Sequence, residues 1–320
     1  MLAADFEVSR RDFRVSAAMQ LGPGERLALL GASGAGKTTI LEALAGFVSL
    51  SAGEIWMAGR LLSRAGSRPV LPRDRGVALV GGSAALFPHL TVIQNICYSP
   101  RATLATGRRH AVALGLGGRL LDSRPAGLSE GERRRVALAR ALAAGCQTLC
   151  LDEPFAALDR PLAEELLALV RELTQALPAG AVLVTHRLEE AQAFADEIAV
   201  LDHGRVAQVG HALELLRHPQ TPEVARMMGY RGWLRSADRT LPIHPDLSRI
   251  DGSGGLRVSC RVVSCRPFGG RFDLELLAQA GWTGRVHLHH HHPIEVGAEV
   301  EVVTPDPVTM PAAAGSHATP

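Results

Sequence analysis

The segment that restricts the fold most is residues 31–38, which read Gly-Ala-Ser-Gly-Ala-Gly-Lys-Thr and fit the pattern G-x-x-x-x-G-K-[ST] at every fixed position. They follow the apolar run 27–30 and lead into a segment of helical character that begins near Lys37. In that setting, small residues let successive backbone N–H groups surround phosphates at a helix N-terminus. Lys37 would then reach the β- and γ-phosphate oxygens, and the Thr38 hydroxyl would bind Mg²⁺. The alternative is a chance glycine-rich turn between a strand and a helix. The residues predicted to hold nucleotide are Gly31, Ala32, Ser33, Gly34, Ala35, Gly36, Lys37, Thr38 and Thr39.

Short apolar runs alternate with helix-like segments from Arg26 to about Leu201. The runs are residues 27–30, 77–80, 149–151, 181–184 and 198–201. Each is nearly free of charge, as expected for strands that are buried on both faces of a sheet. The pattern predicts an α/β domain in which helices cover a largely parallel sheet.

Length and charge narrow the function classes further. A chain of 320 residues with 47% hydrophobic and 21% charged residues buries a substantial core and suggests about two domains. A net charge of +2 gives no overall field that would attract nucleic acid, and the arginines of residues 60–75 lack interleaved aromatics. No apolar stretch reaches roughly 18 residues, so a membrane role would require a partner. The 5 cysteines lack C-x-x-C spacing and we expect no leader segment, which together favour reduced thiols in the cytosol.

The composition and hydrophobic pattern of the sequence change after Trp233, where glycine and proline precede segments of alternating hydrophobicity. Apolar side chains recur at every second position within 256–262 and within 272–276. This pattern, interrupted by residues 267–270 and by Gly297, predicts a small antiparallel barrel. The expected divisions are a first domain at 1–232 with a helical subdomain at about 90–127, a β domain at 233–312, and a disordered tail at 313–320.

Two adjacent carboxylates follow the apolar run 149–151. Asp152 comes where the predicted strand ends, and P-loop enzymes use an aspartate at this point to hold Mg²⁺ opposite the loop hydroxyl. Glu153 is then free to polarise the water that attacks the γ-phosphate, an effect typically worth about 10² to 10⁴ in rate. The alternative is an acidic cap on the following helix.

Residues 128–132 read Leu-Ser-Glu-Gly-Glu and lead into an alanine-rich segment that ends near Leu142. Taken alone, Ser129 as an N-cap with acidic residues in the first turn explains this segment as a helix start. The chain also contains the phosphate loop at 31–38, the Asp-Glu-Pro strand end, residues 157–159 and, after a further apolar strand, His186. Together with residues 128–132, these ordered elements resemble the ATP-binding cassette family of transporter ATPases. The resemblance runs from about residue 22 to residue 210.

This resemblance implies an ATPase whose nucleotide lies between the phosphate loop of one subunit and the signature segment of a second copy. Ser129 and Gly131 would donate to the γ-phosphate across the dimer, and Asp159 would organise the interface. His186 would contact the γ-phosphate as a switch and join Glu153 as a catalytic residue; taken alone, His186 is interpreted as a structural histidine at a strand end. ATP and Mg²⁺ are the implied cofactors.

Two departures from the family pattern accompany the resemblance. A glutamine usually precedes the Leu-Phe-Pro-His stretch, here residues 86–89, where it senses Mg²⁺ and couples to the membrane subunit, but the aligned position is Gly82. Glycine offers no ligand there, which predicts an altered Mg²⁺ shell or coupling and slower hydrolysis. The signature also carries Glu130 in place of a common glycine and Glu132 in place of glutamine. The Glu130 charge would weaken binding of an anionic ligand unless it points away.

The resemblance also implies partners. Residues 86–89 and the helical insert would dock a short cytoplasmic helix of transmembrane permease subunits, at the cytoplasmic face of the inner membrane. A solute-binding protein outside the membrane would act indirectly. The β-rich tail is similar to the small regulatory barrel, of TOBE or MOP type, on importers of molybdate, sulfate, iron and polyamines, and the start of the chain leans toward the molybdate type. We expect a peripheral homodimer with no nucleic-acid partner.

Two other function classes stay open at this point. One is a nucleotide-switched regulator with weak or no hydrolysis, which Gly82 and Glu130 leave open, and the other is a soluble cassette protein outside transport. The aromatic that stacks on adenine is open between Phe13, Phe6 and neither. The histidines at 289–292 allow pairs of metal ligands at best, and a solvated loop before Pro293 is the favoured interpretation.

Overall fold

A mixed sheet of 10 strands organises the larger of the two compact units into which the chain divides, Met1–Ala212 and Leu213–Pro320. The computed structural model describes residues 1–10, 13–81, 84–156, 158–236, 239–250, 255–304 and 310–311. The domain boundary at 232/233 stays a prediction, and the predicted tail at 313–320 lies outside the described residues.

The larger unit contains strands β1 to β10 and helices α1 to α6. The strands are β1 (Leu2–Arg10), β2 (Phe13–Leu21), β3 (Arg26–Gly31), β4 (Ala52–Met57), β5 (Arg60–Arg64), β6 (Val77–Val80), β7 (Thr148–Asp152), β8 (Ala181–Thr185), β9 (Glu197–Asp202) and β10 (Arg205–Gly210). The helices are α1 (Lys37–Ala45), α2 (Val92–Ile96), α3 (Leu104–Ala113), α4 (Glu130–Ala143), α5 (Arg160–Thr174) and α6 (Leu188–Phe194).

The five apolar runs form the parallel half of the sheet, in the order β9-β3-β8-β7-β6. Every residue of β3 and of β8 is buried, as the lack of charge in these runs predicts. The carboxyl ends of β3, β7 and β8 lie at one edge, so the phosphate loop, Asp152 and His186 emerge side by side. The prediction of an α/β fold is confirmed.

The other half of the sheet, in the order β5-β4-β1-β2-β10, is antiparallel except where β10 pairs with β2, and the prediction of a largely parallel sheet did not include it. β1 and β2 form a hairpin in which Leu2 pairs with Leu21, and β1 also pairs with β4. Buried and exposed positions alternate along β1, because one face packs on the core and the other does not. Such half-buried strands lack the continuous apolar runs that marked the parallel strands.

Helices cover both faces of the sheet and create two apolar cores. One core includes Val136 of α4 and Leu166 of α5, and the other includes Ile40 and Leu41 of α1. The C-terminal end of α1 is held by the buried Arg75, whose guanidinium donates to the carbonyl oxygens of Ala43 and Leu44 at 3.0 and 3.1 Å. This cap fixes the far end of the helix that begins in the phosphate loop.

The predicted helical insert contains α2 and α3. Both begin with a capping box, at Thr91 and Thr103, in which the threonine hydroxyl accepts from the third helical N–H. Two short 3₁₀ turns, Gly118–Asp122 and Pro125–Gly127, then lead to α4.

The smaller unit holds a separate set of antiparallel strands. Its elements are α7 (Ala212–Arg217) at the division, α8 (Pro222–Met227), β11 (Trp233–Arg235), β12 (Arg239–Pro242), β13 (Arg249–Ile250), β14 (Leu256–Phe268), β15 (Arg271–Ala278), β16 (Arg285–His290), β17 (Glu299–Thr304) and β18 (Met310–Pro311). The strands form a five-stranded sheet in the order β13-β17-β14-β15-β16 and a three-stranded sheet in the order β11-β12-β18. Single bridges Gly232–Val286 and Arg235–Thr283 join the two sheets.

The alternation in this unit produces the apolar face that the sequence predicted. Val258, Cys260 and Val262 are buried on β14, and Leu274 and Leu276 are buried on the neighbouring β15, where Leu276 pairs with Val262. Residues 267–270 turn the chain between these strands, and Gly269 and Gly270 both have positive φ, 53° and 81°, as a tight hairpin of this kind requires. The prediction of a small antiparallel β domain is confirmed.

None of the helices formed by the described residues is both long and apolar enough to cross a bilayer. The cysteines are free thiols, of which Cys146, Cys150 and Cys260 are buried, in agreement with their interpretation as small core residues.

Candidate functional site

The phosphate loop joins the end of β3 to the start of α1. Gly34 and Gly36 have φ of 81° and 102°, a region that L side chains rarely adopt. A Cβ on Gly31 would lie 2.6 Å from the backbone oxygen of Leu201, so the loop also lacks room for a side chain there. The backbone N–H groups at the start of α1 and in the turn before it can therefore approach an anion closely.

The Lys37 ammonium lies inside this loop. Nζ donates to the carbonyl oxygens of Gly31 at 2.8 Å and Ala32 at 2.9 Å, and the side chain is largely buried. Burial lowers the pKa of Lys37, and the nearby carboxylates of Glu153 and Asp152 partly oppose that shift. A cation held here among main-chain oxygens is placed to pair with phosphate oxygens.

Thr38 and Asp152 meet at the edge of the sheet although 114 positions separate them in the sequence. The Thr38 hydroxyl lies 3.2 and 3.0 Å from the two carboxylate oxygens of Asp152. Burial raises the pKa of Asp152, while the hydrogen bond from Thr38 opposes that rise. A hydroxyl and a carboxylate are oxygen donors of the kind that Mg²⁺ takes, so these two residues fit the predicted metal pair.

Glu153 follows directly and has an unusual backbone. Its φ is 46°, in the left-handed region, and its N–H donates to the carbonyl oxygen of Val184 at 3.0 Å. Its carboxylate Oε1 lies 3.3 Å from Nδ1 of His186. The structure thus brings the two predicted catalytic residues together, with both side chains open to solvent.

The turn that carries His186 is fixed by Glu190 of α6, a residue that the sequence analysis missed. The buried Glu190 carboxylate accepts from the Thr185 hydroxyl at 2.6 Å and from Arg187 Nη1 at 2.9 Å. The Arg187 N–H also donates to the Thr185 hydroxyl at 3.1 Å. Both chain neighbours of His186 are therefore held by one side chain. The acidic pair Glu189–Glu190 soon after His186 is the sequence signal that could have identified it.

The signature segment begins α4, with Ser129 as N-cap. The Ser129 hydroxyl accepts from the Glu132 N–H at 3.3 Å, while the Ser129 N–H donates to the Glu132 carboxylate at 2.8 Å. The Ser129 N–H and hydroxyl both donate to the Glu132 carboxylate at 2.8 Å, and these two hydrogen bonds hold the pKa of Glu132 below its usual value. Glu132 thus completes a capping box, a role that a glutamine also fills.

Gly131 packs against the next helix. A Cβ on Gly131 would lie 2.7 Å from Cδ2 of Leu162 in α5. Asp159 is the N-cap of α5, where its Oδ1 accepts from the Leu162 N–H at 3.1 Å. The predicted interface residues Ser129, Gly131 and Asp159 therefore begin two helices that touch each other.

The Glu130 carboxylate points along its own helix. One oxygen lies 3.4 Å from Arg133 Nη1 and the other 3.4 Å from Arg134 Nε. Two cations thus balance the charge that the sequence analysis identified as a possible obstacle to anion binding.

The two aromatic candidates for stacking on adenine have different environments. Phe6 is 1% exposed in the core and is not free to stack on a ligand, whereas Phe13 lies beside the loop, its Cε1 3.3 Å from where a Cβ on Gly36 would lie.

Two positions singled out in the sequence, Gly82 and Ala157, lie outside the described residues. His289 and His290 end β16, and among the described residues no group of three or more His, Cys, Asp or Glu side chains could hold a metal ion.

The stretch 86–89 lies beside the signature helix and the insert. The Phe87 ring lies 4.2 Å from that of Tyr98 and 5.4 Å from the guanidinium carbon of Arg140 in α4. Arg140 also donates to the carbonyl oxygens of Ala84 and Ala85. A groove of about 590 Å³ opens next to these residues, lined by the edge strand β6, by Tyr98 and by the end of α4.

Comparison with known proteins gives one consistent result. A family model described as ABC transporter matches residues 16–156. The chain is 36% identical over 284 residues to a sulfate/thiosulfate import ATP-binding protein of Gloeobacter violaceus, covering 82% of this chain and 80% of the relative. It is 38% identical over 217 residues to a spermidine/putrescine import ATP-binding protein of Oleidesulfovibrio alaskensis, covering 66% of this chain and 57% of the relative.

Among solved structures, part of an ABC transporter complex from Clostridium perfringens has a TM-score of 0.58 at 24% identity, over 66% of this chain and 88% of that one. At this identity the likeness establishes a shared fold. Residues 16–156, the region that the family model matches, contain the phosphate loop and the strand end with Asp152.

Proposed function

The chain belongs to the ABC transporter family as an ATP-hydrolysing subunit of importer type, and from this premise we propose that it powers uptake of an inorganic oxyanion through a separate permease. The observation that carries the proposal is the convergence of Lys37, the Thr38–Asp152 pair and the Glu153–His186 pair at one edge of the sheet. A lysine, a metal pair and a carboxylate close to a histidine together match the needs of phosphoryl transfer to water.

In the proposed reaction, Lys37 binds the β- and γ-phosphates, and Thr38 with Asp152 holds Mg²⁺. When bound there, Mg²⁺ supplies positive charge that neutralises the phosphate oxygens. Glu153 orients the attacking water and accepts its proton. His186, whose Nδ1 lies 3.3 Å from Glu153, is placed to contact the γ-phosphate and the carboxylate together.

We also propose that two copies bind head to tail. The N-terminus of α4 exposes Ser129 and carries the N–H groups of the first helical turn, which attract an anion. In the head-to-tail dimer this end covers the γ-phosphate held by the partner copy, with Asp159 at the same surface. The Glu130 charge does not oppose this arrangement, because Arg133 and Arg134 balance it.

The proposed permease site is the groove beside β6 and the stretch 86–89. Its walls combine the exposed ring of Tyr98 with Arg101 and Arg140. A short helix from permease subunits at the cytoplasmic face of the membrane would fill it. The peripheral location of the chain follows from this partner.

Sulfate or thiosulfate is the proposed solute class, delivered by a solute-binding protein. The relative named for sulfate/thiosulfate aligns over 82% of this chain, whereas the one named for spermidine/putrescine aligns over 66%. The names of the two relatives favour sulfate or a polyamine over molybdate, toward which the start of the chain leans, and over iron.

Two measurements test the proposal. Purified chain should release phosphate from ATP in the presence of Mg²⁺, and a strain lacking the gene should lose uptake of labelled sulfate but not of labelled spermidine or molybdate. Absence of turnover, with and without permease, would contradict the ATPase and favour the nucleotide-switched regulator. Loss of spermidine uptake instead would replace the solute.

A further inference from the structure

Arg134 is a buried arginine that the proposed reaction does not use. It lies in the first part of α4, its side chain is 4% exposed, and Nε has no hydrogen-bond partner among the described residues. Leaving such a donor without a hydrogen bond costs free energy, so a residue of this kind calls for an explanation.

Two contacts set the position of the Arg134 guanidinium. Nε lies 3.4 Å from the Glu130 carboxylate, and Nη1 donates to the backbone oxygen of Glu153 at 3.4 Å. Both distances are long for charge-assisted contacts, which are strongest at about 2.7 to 2.9 Å. Arg134 therefore bridges the start of the signature helix and the proposed catalytic residue through two weak contacts.

The Glu153 backbone is sensitive to such a contact. Its left-handed φ of 46° is disfavoured for a residue with a side chain, and neighbouring groups must hold it there. The carbonyl of Val184 accepts the Glu153 N–H, and the Glu153 oxygen accepts from the N–H of Ala156 at 3.3 Å and from Arg134. Arg134 is the side chain that contributes to this set. The Arg134 contact therefore joins the signature helix to the residue whose carboxylate faces His186.

In the proposed dimer, the N-terminus of α4 and Glu153 of one chain act on different ATP molecules. The signature helix of a chain covers the ATP held by its partner, while Glu153 of that chain acts on the ATP held by its own phosphate loop. We propose that Arg134 is a positioning residue that couples the two ATP sites. Negative charge arriving at the N-terminus of α4 changes the balance between Glu130 and Arg134, and Arg134 passes that change to Glu153. This inference rests on the proposed dimeric ATPase.

The matched control is Arg133, the next residue along α4. Arg133 also pairs with Glu130 at 3.4 Å, but its Nε donates to the carbonyl oxygen of Pro125 at 3.3 Å, and within the described part of the chain no hydrogen bond or ion pair joins it to Glu153. Arg133→Met and Arg134→Met thus remove the same charge one residue apart, and differ in the link to Glu153.

The experiment measures ATP hydrolysis by the full chain as a function of ATP concentration, with thermal unfolding and binding of a fluorescent ATP analogue as checks on folding and affinity. For Arg134→Met we expect kcat to fall about ten- to a hundredfold, as small misplacements of catalytic groups do. Its Hill coefficient should fall to that of independent sites while nucleotide affinity is retained. Arg133→Met should keep the wild-type Hill coefficient, and Glu130→Gln should lower the Hill coefficient more than kcat.

A structural role alone would lower the unfolding temperature and leave cooperativity intact. Equal effects of Arg133→Met and Arg134→Met, or an unchanged Hill coefficient in a folded Arg134→Met protein, would overturn the coupling while the proposed function stands. Where the Arg134→Met protein does not fold, Arg134→Lys serves instead, since it keeps the charge near Glu130 but loses the second nitrogen of the fork; wild-type cooperativity in that variant would overturn the coupling too. A wild-type chain that does not hydrolyse ATP would overturn the proposed function and the coupling together.

Discussion

Single residues near the site are constrained unequally, and Glu153 combines several constraints. Its backbone is left-handed, its N–H and carbonyl are both hydrogen-bonded, and its carboxylate lies beside His186. Asp152, the preceding residue, is instead turned toward Thr38. Neighbouring carboxylates thus receive different environments, which suits one to a metal and the other to a water molecule.

Replacing Glu153 with glutamine should stop turnover while preserving nucleotide binding. The amide cannot accept the proton of the attacking water, so we expect kcat to fall by about 10² to 10⁴. Light scattering in ATP and Mg²⁺ should show an accumulated dimer. Glu164→Gln, on the exposed part of α5, is the matched control and should hydrolyse ATP normally. Normal turnover in Glu153→Gln would mean that another group is the base.

Asp152→Asn should raise the stability of nucleotide-free protein near neutral pH. The pKa of Asp152 is raised in the folded state, chiefly by burial, so its ionised form opposes folding. That penalty is absent below the ordinary aspartate pKa of about 3.9 and develops as pH rises through the folded value. The difference in Tm between variant and wild type should therefore grow from pH 4 to pH 7.

With Mg²⁺ and ATP bound, we expect wild type to be more stable than Asp152→Asn, the reverse of their order without nucleotide. Wild type in Mg²⁺ and ATP at about 100 times Kd gains about 2.7 kcal/mol of stability, and Asp152→Asn should lose most of this gain. Thermal melts with and without nucleotide measure both effects. A nucleotide-free variant that melts below wild type at pH 7 would contradict the assignment of burial as the dominant influence.

Glu190→Gln should disturb His186 without touching nucleotide. The glutamine oxygen can accept from the Thr185 hydroxyl, but its NH₂ group then faces the Arg187 guanidinium. Both of these groups are hydrogen-bond donors, so the contact with Arg187 is lost. We expect a loss of about 1 to 3 kcal/mol in the free energy of unfolding, together with reduced hydrolysis. The exposed neighbour variant Glu189→Gln should change stability by less than about 0.5 kcal/mol. Urea unfolding and phosphate release compare the two, and equal behaviour would argue against a role for Glu190.

Pairs of elements meet at the site through close packing as well as through polar contacts. α4 and α5 touch where Gly131 faces Leu162, next to the Asp159 cap. The two helix N-termini that carry the proposed dimer residues are therefore held at a fixed distance by a contact that leaves no space for a methyl group.

Gly131→Ala should destabilise the protein even though alanine is the better helix former. An added Cβ lies 2.7 Å from Leu162 Cδ2, and overpacking of this kind typically costs about 1 to 3 kcal/mol. In a Leu162→Ala background the clash disappears, and the same substitution should become neutral or stabilise by up to about 1 kcal/mol, which is the helix propensity difference. Urea unfolding of the four proteins gives the coupling energy. Additive effects would show that Leu162 moves away freely.

The whole molecule divides into units that each have their own core. The larger unit contains two apolar cores on the faces of its sheet, and the smaller one contains a single core that includes Leu234, Leu274 and Val302. The residues of the candidate nucleotide site all belong to the larger unit.

Calorimetry should therefore resolve two unfolding transitions. ATP with Mg²⁺ should raise the midpoint of the larger transition, because ligand stabilises the unit that binds it. The midpoint of the smaller transition should stay fixed, and the Lys37→Ala variant should remove the shift by preventing nucleotide binding. A single transition that moves as a whole would contradict independent units.

The sequence by itself determined the features that depend on neighbouring residues. The phosphate loop, the five buried parallel strands, the capped start of α4 and the alternating strands of the smaller unit follow from residue spacing and side-chain size, which act over a few positions. The half-exposed strands β1, β2, β4 and β5 were not identified, because their alternating pattern is weaker than a continuous apolar run.

Only the tertiary structure decided which distant groups meet. Glu190 holds both neighbours of His186, and Arg134 reaches the carbonyl of Glu153 from a helix 19 positions earlier. Glu130 is balanced by arginines whose direction the sequence does not state. Such contacts depend on how helices lie on the sheet and on which rotamer each long side chain adopts, and no local pattern encodes either.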